Sequence, residues 1–172
     1  VGDRDEALAL AGQSMPERGL AHGLAVAAVA LRMGEELNRK GAGLDLDLVH
    51  NAALLHDVAK GWPHHEAAGG ELLERLGLGG LSRIVAAHRD VPPPASGLLT
   101  EKEVVCLADK LVRCDRRISV EDRFGEKLAL YACDENACAA IRGRMNNALA
   151  LRGMVEKACG RGLEDILAGV LP

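Results

Sequence analysis

The sequence predicts an all-α fold, and three observations lead to that prediction. Apolar residues recur at the helical spacing of three and four positions, and no segment alternates apolar and polar residues convincingly. Aromatic residues make up only 2% of the chain, whereas hydrophobic residues make up 48%. Leucine, alanine, valine and isoleucine must therefore form the core, which suits packed helices better than a sandwich or a barrel.

Length and charge limit the class of protein. The 172 residues are expected to form one helical domain over 1–172, with about seven to nine helices. The net charge of −4 gives no general attraction to nucleic acid or to an anionic membrane. No apolar stretch is long enough to span a membrane and no signal peptide opens the chain, so we expect a cytoplasmic location. The chain begins with Val1 rather than methionine, which leaves open that it is a piece of a longer polypeptide.

The cysteines indicate a reducing environment. They are odd in number, without a CxxC pair, and all five lie in helix-like segments, which predicts reduced, buried thiols and argues against a zinc knuckle. The five positions are Cys106, Cys114, Cys133, Cys138 and Cys159.

The first two helices are predicted from apolar spacing and from capping residues. Residues 3–12 form a short amphipathic stretch that Gly12 is expected to end. Ser14 and Glu17 have the spacing of a capping box for a long second helix, which runs to about Asn38.

Later helices follow with loops between them. Asp45 or Asp47 is expected to cap an apolar helix that ends at or just after Lys60-Gly61. Thr100 and Glu103 have the spacing of another capping box. The remaining helices are predicted over these ranges: 64–77, 81–88, 121–132, 135–159 and 163–170.

Three predicted helices carry metal-ligand residues on or near their apolar faces. Burying one unpaired carboxylate costs several kcal/mol, so two of them need a shared partner. A single cation between the helices would satisfy both and bind the histidines as well. Taken singly, each residue has an ordinary alternative, namely a hydrogen-bonded core histidine or a surface ion pair of aspartate with lysine. The four residues are His22, His56, Asp57 and Asp109.

In this order, the four residues resemble the HD superfamily of metal-dependent phosphohydrolases. The resemblance covers roughly residues 18–118, which leaves C-terminal helices over 121–170. Residues 54–60, Leu-Leu-His-Asp-Val-Ala-Lys, are similar to the family sequence LLHDIGK. The segment His65-Glu66-Ala67-Ala68-Gly69-Gly70 resembles the HxxxGA segment of the HDIG-type branch, and Ala108-Asp109-Lys110 resembles the closing AD motif.

Two positions depart from the family pattern. His88 falls where the HDIG-type branch has further histidine ligands, but Arg89 stands where many relatives have a second histidine. This departure leaves open whether one or two ions bind. Ala59 replaces the glycine of HDIG, a mild change.

The resemblance implies an HD-type helical domain with a dinuclear metal site. Asp57 would bridge the two ions, and His64 competes with His65 for one ligand position. The ions would be one or two of iron, manganese, zinc, cobalt or nickel, with magnesium as a further candidate. The implied ligands are His22, His56, Asp57, His65, His88 and Asp109.

The implied reaction is in-line attack of a metal-bound hydroxide on phosphorus. Asp57 and Lys60 are the catalytic candidates, because Lys60 would neutralise a phosphate oxygen in the transition state. The alternative for Lys60 is a residue favoured by the helix dipole. Further basic residues suit an anionic substrate. A solvated helix end explains Arg113, Arg116 and Arg117 equally well. The further basic residues are Arg18, Arg113, Arg116 and Arg117.

The resemblance therefore implies a phosphohydrolase that acts on a small nucleotide-like phosphate ester or anhydride. Compact bacterial HD proteins that hydrolyse dinucleoside polyphosphates look most similar. One alternative is a non-catalytic metal- or nucleotide-binding regulatory HD domain fused to another enzyme, and a weaker one is a helical interaction module without metal. The expected partner is the small phosphorylated substrate rather than a membrane or nucleic acid, and a homodimer or a fused upstream domain stays open.

Overall fold

The computed structural model describes residues 3–172 and confirms the all-α fold. Within these residues it contains nine helices and one short β-hairpin. In chain order they are α1 (Arg4–Ser14), α2 (Glu17–Arg39), α3 (Leu46–Leu55), α4 (His65–Arg75), α5 (Gly79–Ala87), α6 (Glu101–Lys110), β1 (Val112–Arg113), β2 (Arg116–Arg117), α7 (Val120–Leu130), α8 (Glu135–Cys159) and α9 (Leu163–Ile166).

Helix α2 lies at the centre of the core. It packs against α3 along most of that helix and also against α6, while α5 packs against α3 as well. Leu54, Leu55 and Leu107 are fully buried where these helices meet. Burying a leucine side chain contributes about 2 kcal/mol, so this contact fixes the relative positions of the helices that carry the candidate ligands.

Helix α3 ends at Leu55, before the predicted end at Lys60-Gly61. The backbone N–H groups of Val58 and Lys60 bind the carbonyls of Leu55 and Asp57, three residues earlier in each case. This tighter winding replaces the regular helix after Leu55. His56 is consequently the C-terminal cap of α3, and Asp57 lies in a turn rather than on a helix face.

The predicted capping box at Ser14 is wrong. Gly12 keeps a helical conformation, so α1 continues to Ser14, and Pro16 takes the cap position before α2. Local composition favours a break at glycine, but Gly12 does not adopt the left-handed conformation in which a glycine commonly ends a helix.

Other caps and boundaries are confirmed. The Asp45 carboxylate accepts hydrogen bonds from the N–H groups of Asp47 and Leu48. Thr100 and Glu103 form the predicted capping box of α6. Helix α8 spans the predicted residues 135–159, whereas the tail helix α9 is shorter than predicted.

The β-hairpin between α6 and α7 was not predicted. Val112 pairs with Arg117 and Arg113 pairs with Arg116, and Cys114 at the turn has a φ of 57°. Strands of two residues are too short to show an alternating pattern in a sequence.

Two of the cysteines differ from the prediction of buried thiols. Cys106, Cys138 and Cys159 are buried, but Cys114 and Cys133 are exposed because they lie in turns. None of the helices within residues 3–172 combines the length and apolar character needed to cross a membrane.

Candidate metal centre

Three histidines of the site are oriented by the backbone. Each Nδ1 atom faces a carbonyl oxygen, and because a carbonyl only accepts, each Nδ1 carries the proton. The unprotonated Nε2 atoms are therefore free to bind a metal. The bonds run from His22 to Cys114 at 2.8 Å, from His56 to Ala53 at 2.7 Å and from His88 to Val85 at 2.6 Å.

The Asp109 carboxylate lies between α2 and the end of α3. Its Oδ1 atom is 3.4 Å from His22 Nε2, 3.6 Å from His56 Nε2 and 3.2 Å from Arg123 Nη2. Its Oδ2 atom accepts a hydrogen bond from Lys110 Nζ at 2.7 Å. Burial opposes ionisation of Asp109, but Lys110 and the two histidines hold its pKa well below the usual value. The group is therefore an anion in the core.

The Asp57 carboxylate faces two sets of histidines. Its Oδ2 atom is 3.5 Å from His56 Nε2 and accepts a hydrogen bond from Lys60. Its Oδ1 atom is 3.3 Å from His65 Nε2 and 3.8 Å from His88 Nε2. Burial opposes ionisation here too, but His56 and Lys60 lower the pKa of Asp57. A carboxylate in this arrangement can be shared between two cations.

The residues His22, His56, Asp57, His88 and Asp109 are called the cluster below. His56 is its central ring. Its ring centroid is 5.2 Å from that of His22 and 5.1 Å from that of His88. Its Nε2 atom is buried and has no hydrogen-bond partner among residues 3–172. Burial disfavours the charged form, but Asp109 and Asp57 outweigh it and raise the pKa of His56.

The donor atoms fit a divalent metal ion. Two groups have ligand atoms within 4.8 Å of one another, the first being His22, His56 and Asp109, and the second His56, Asp57 and His88. Imidazole nitrogen and carboxylate oxygen suit zinc, iron, manganese and their neighbours. A buried imidazole nitrogen without a partner is costly in the absence of a ligand, and a metal ion would satisfy it.

His65 and His64 are placed differently. His65 is the first residue of α4, and its ring is half-buried with the centroid 5.5 Å from that of His88. His64 is exposed and precedes the helix in the left-handed conformation, with a φ of 49°. His65 lies outside the two groups above, although its Nε2 atom contacts Asp57.

Arg18 and Arg113 line a cavity beside the cluster, called the second cavity below. This cavity, of about 440 Å³, also includes His22, Asp57 and Lys60. The guanidinium of Arg18 is 3.8 Å from the sulfur of Cys114, and Arg113 forms an ion pair at 2.6 Å with Glu126.

The structure does not bring Arg116 and Arg117 to the cluster. Neither lines a cavity that contains Asp57. Arg116 is exposed on the hairpin, and Arg117 binds the Glu164 carboxylate and the Leu167 carbonyl. The hairpin directs Arg117 toward the C-terminal end of the chain instead.

Several site residues were missed by sequence reasoning. A larger cavity of about 670 Å³, called the basic cavity below, opens beside Asp57 and Asp109 and is lined by cationic side chains from several helices. Lys60 is predicted from the sequence and Lys110 only as a surface partner of Asp109, whereas nothing in the local sequence places the other four cationic residues here. The cationic residues of the basic cavity are Lys60, Arg89, Lys110, Arg123, Lys127 and Arg144.

Comparison with known proteins identifies the family. The model of the HD domain matches residues 19–114, more than half of the chain. An uncharacterized protein of Methanocaldococcus jannaschii is 27% identical over 165 aligned positions, which cover 84% of this chain and 98% of the relative. No solved structure matches.

Proposed function

Because the chain belongs to the HD domain family, we propose that it is a metal-dependent phosphohydrolase that acts on a small nucleotide-like phosphate ester or anhydride. One observation carries the proposal: the two oxygens of Asp57 face different histidines, with the Nε2 atoms turned toward the carboxylate. Hydrolytic sites with two metals share a ligand in this way.

The proposed ligands divide into two sets that share Asp57. His22, His56 and Asp109 would hold one ion, and His65 with His88 would hold the other. A bound divalent cation lowers the pKa of a water molecule to near 7 and so supplies a nucleophile at neutral pH. The hydrogen bonds of the histidine Nδ1 atoms to carbonyls keep the rings in the orientation that this binding needs.

Basic side chains supply the charge that a phosphate substrate needs. Lys60 pairs with Asp57, while Lys110 and Arg123 pair with Asp109. A metal ion bound to the same carboxylates would compete with these cations and free them for the oxygens of a phosphate group. The Lys60 side chain is 62% exposed, so of the three cations it is the most accessible to a substrate. We propose that it neutralises charge developing on the phosphoryl oxygens.

The two cavities provide room for the rest of a substrate. Both are lined by Asp57, Lys60 and Arg123, so a phosphate at Asp57 can extend into either. Met15, Pro16 and Gly19 give the second cavity an apolar wall. A substrate that combines an anionic group with an apolar group is consistent with this shape, as a nucleotide would be.

Release of inorganic phosphate or of p-nitrophenol tests the proposal. The protein, loaded in turn with Mn²⁺, Fe²⁺, Zn²⁺, Co²⁺, Ni²⁺ or Mg²⁺, is assayed with p-nitrophenyl phosphate, its bis ester, AMP and ADP. We expect turnover with at least one ion and a loss of at least about a hundredfold in Asp57→Asn. His50→Gln is the matched control, because His50 also lies on α3 but contacts Asn51 outside the cluster. Metal binding without any turnover would contradict the proposed phosphohydrolase activity and support a regulatory HD domain.

A further inference from the structure

We propose that Lys127 and Arg144 form a second anion-binding subsite in the basic cavity, so that the substrate carries at least two phosphate groups. The proposal rests on the proposed function, because the first phosphate group is the one placed at Asp57. Lys127 lies on α7 and Arg144 on α8, and both helices follow the part of the chain that matches the HD domain, 19–114.

The basic cavity has more positive than negative charge. Asp57 and Asp109 are the carboxylates among its lining residues, whereas six lysines and arginines line it. Both carboxylates are also proposed metal ligands. With divalent cations bound, the excess of positive charge would increase further, and a phosphate with several negative charges is the natural counterion.

Four of the six cations already have carboxylate partners. Lys60 pairs with Asp57, Lys110 and Arg123 pair with Asp109, and Arg89 binds Glu66 at 3.0 Å. Within residues 3–172, Lys127 and Arg144 have no carboxylate within the 4.0 Å of an ion pair. The ammonium of Lys127 lies instead 5.7 Å from the ring centroid of Phe124.

Lys127 has more positive than negative charge around it. Partial burial and the neighbouring positive charges of Arg123, Lys110 and Arg144 lower its pKa, and the Asp109 carboxylate opposes this shift only in part. Protein side chains that repel one another in this way are stabilised when an anion binds between them. The arrangement therefore supports an anion site formed by the two helices together.

The dimensions of the cavity suit a phosphate chain. Asp57, Lys127 and Arg144 line the same cavity of about 670 Å³, which is within the usual range of about 300–1,000 Å³ for small-ligand sites. One phosphate at Asp57 and another at Lys127 and Arg144 would belong to one molecule. A nucleotide and an inorganic polyphosphate both carry such a chain of phosphate groups.

Anion binding to the metal-free protein tests the subsite directly. Isothermal titration calorimetry is carried out with inorganic phosphate, pyrophosphate, tripolyphosphate, AMP and ADP in the presence of EDTA, so that metal chelation does not contribute. We expect tripolyphosphate to bind at least about tenfold more tightly than phosphate. Tighter binding of ADP than of pyrophosphate would identify a nucleotide as the source of the phosphate chain. Equal or weaker binding of ADP would identify an inorganic polyphosphate.

Substitutions locate the site. Lys127→Gln and Arg144→Gln should each weaken binding of tripolyphosphate to the metal-free protein by about tenfold. Arg144→Lys should retain part of the affinity. Arg142→Gln is the control, since Arg142 is exposed on the same helix and does not line the cavity. Unchanged binding in both glutamine variants, or an equal loss in Arg142→Gln, would overturn the proposal. Because no turnover is measured, failure of the phosphohydrolase assay leaves this result interpretable.

Discussion

Gly23 of α2 packs directly against the carbonyl oxygen of Leu54 in α3. A β-carbon added at Gly23 would lie 2.4 Å from that oxygen, a distance that a real contact does not reach. Gly23 directly follows His22, and Leu54 stands two residues before His56. The close approach of the two backbones is therefore what brings the rings of His22 and His56 to within 5.2 Å.

Gly23→Ala should destabilise the protein, because the added methyl group pushes α2 away from α3. We expect a loss of about 2 kcal/mol in the free energy of unfolding, measured by urea denaturation. The control is Gly143→Ala on α8, where a β-carbon would meet nothing within 4 Å. That variant should be more stable than the wild type by about 0.5–1 kcal/mol. Equal denaturation midpoints for Gly23→Ala and the wild type would refute the tight contact.

Local signals predicted much of the helical fold. The capping box of Thr100 and Glu103 and the cap at Asp45 depend only on residues within three positions, so the sequence is sufficient for them. The end of α3 at Leu55 was missed because the tight turns after it follow an apolar run that would also fit a helix. The hairpin at Val112 was missed because its strands are short.

The site was predictable only in its ligand-type residues. The order of His22, His56-Asp57 and Asp109 led to the family. The hydrogen bond from His22 to the Cys114 carbonyl joins residues 92 positions apart, and the contact of Arg123 with Asp109 depends on the path of the hairpin. Such partners are set by tertiary packing, for which one sequence carries no local signal.

The neighbouring histidines His64 and His65 should differ in metal binding. His65→Asn is expected to lose one of the two ions, because it removes an Nε2 atom that lies 3.3 Å from Asp57. His64→Asn makes the same change at an exposed position, and asparagine tolerates its left-handed conformation. Metal analysis of the two variants should show a loss only for His65→Asn. A loss in His64→Asn alone would reverse the assignment.

Lys60→Ala should lower turnover more than metal content. Its ammonium binds Asp57 rather than a histidine, so its removal leaves the six proposed ligands in place. We expect kcat to fall by about a hundredfold with metal content unchanged. The measurement combines steady-state kinetics with elemental analysis of the same preparation. Proportional losses of activity and metal would indicate a structural role for Lys60 instead.

His88 should make the metal-free protein less stable in mild acid. Burial and the neighbouring His56 lower its pKa from 6.5 to about 4. Between these values the unfolded chain binds more protons than the folded one, so stability falls as the pH decreases. His56, with its raised pKa, acts in the opposite sense.

A comparison of variants isolates the contribution of His88. Between pH 7 and pH 5 the wild type should lose about 1–2 kcal/mol more stability than His88→Gln, measured by urea denaturation in EDTA. The same loss in both proteins would show that His88 does not titrate as its burial implies.

Metal content per chain tests the central claim most directly. The protein is stripped with chelator, incubated with each first-row ion in turn, desalted and analysed by inductively coupled plasma mass spectrometry. Sharing of Asp57 between two sets of histidines predicts about two ions per chain for at least one metal. One ion would contradict the bridging role of Asp57, and no bound ion with any metal would contradict the metal centre itself.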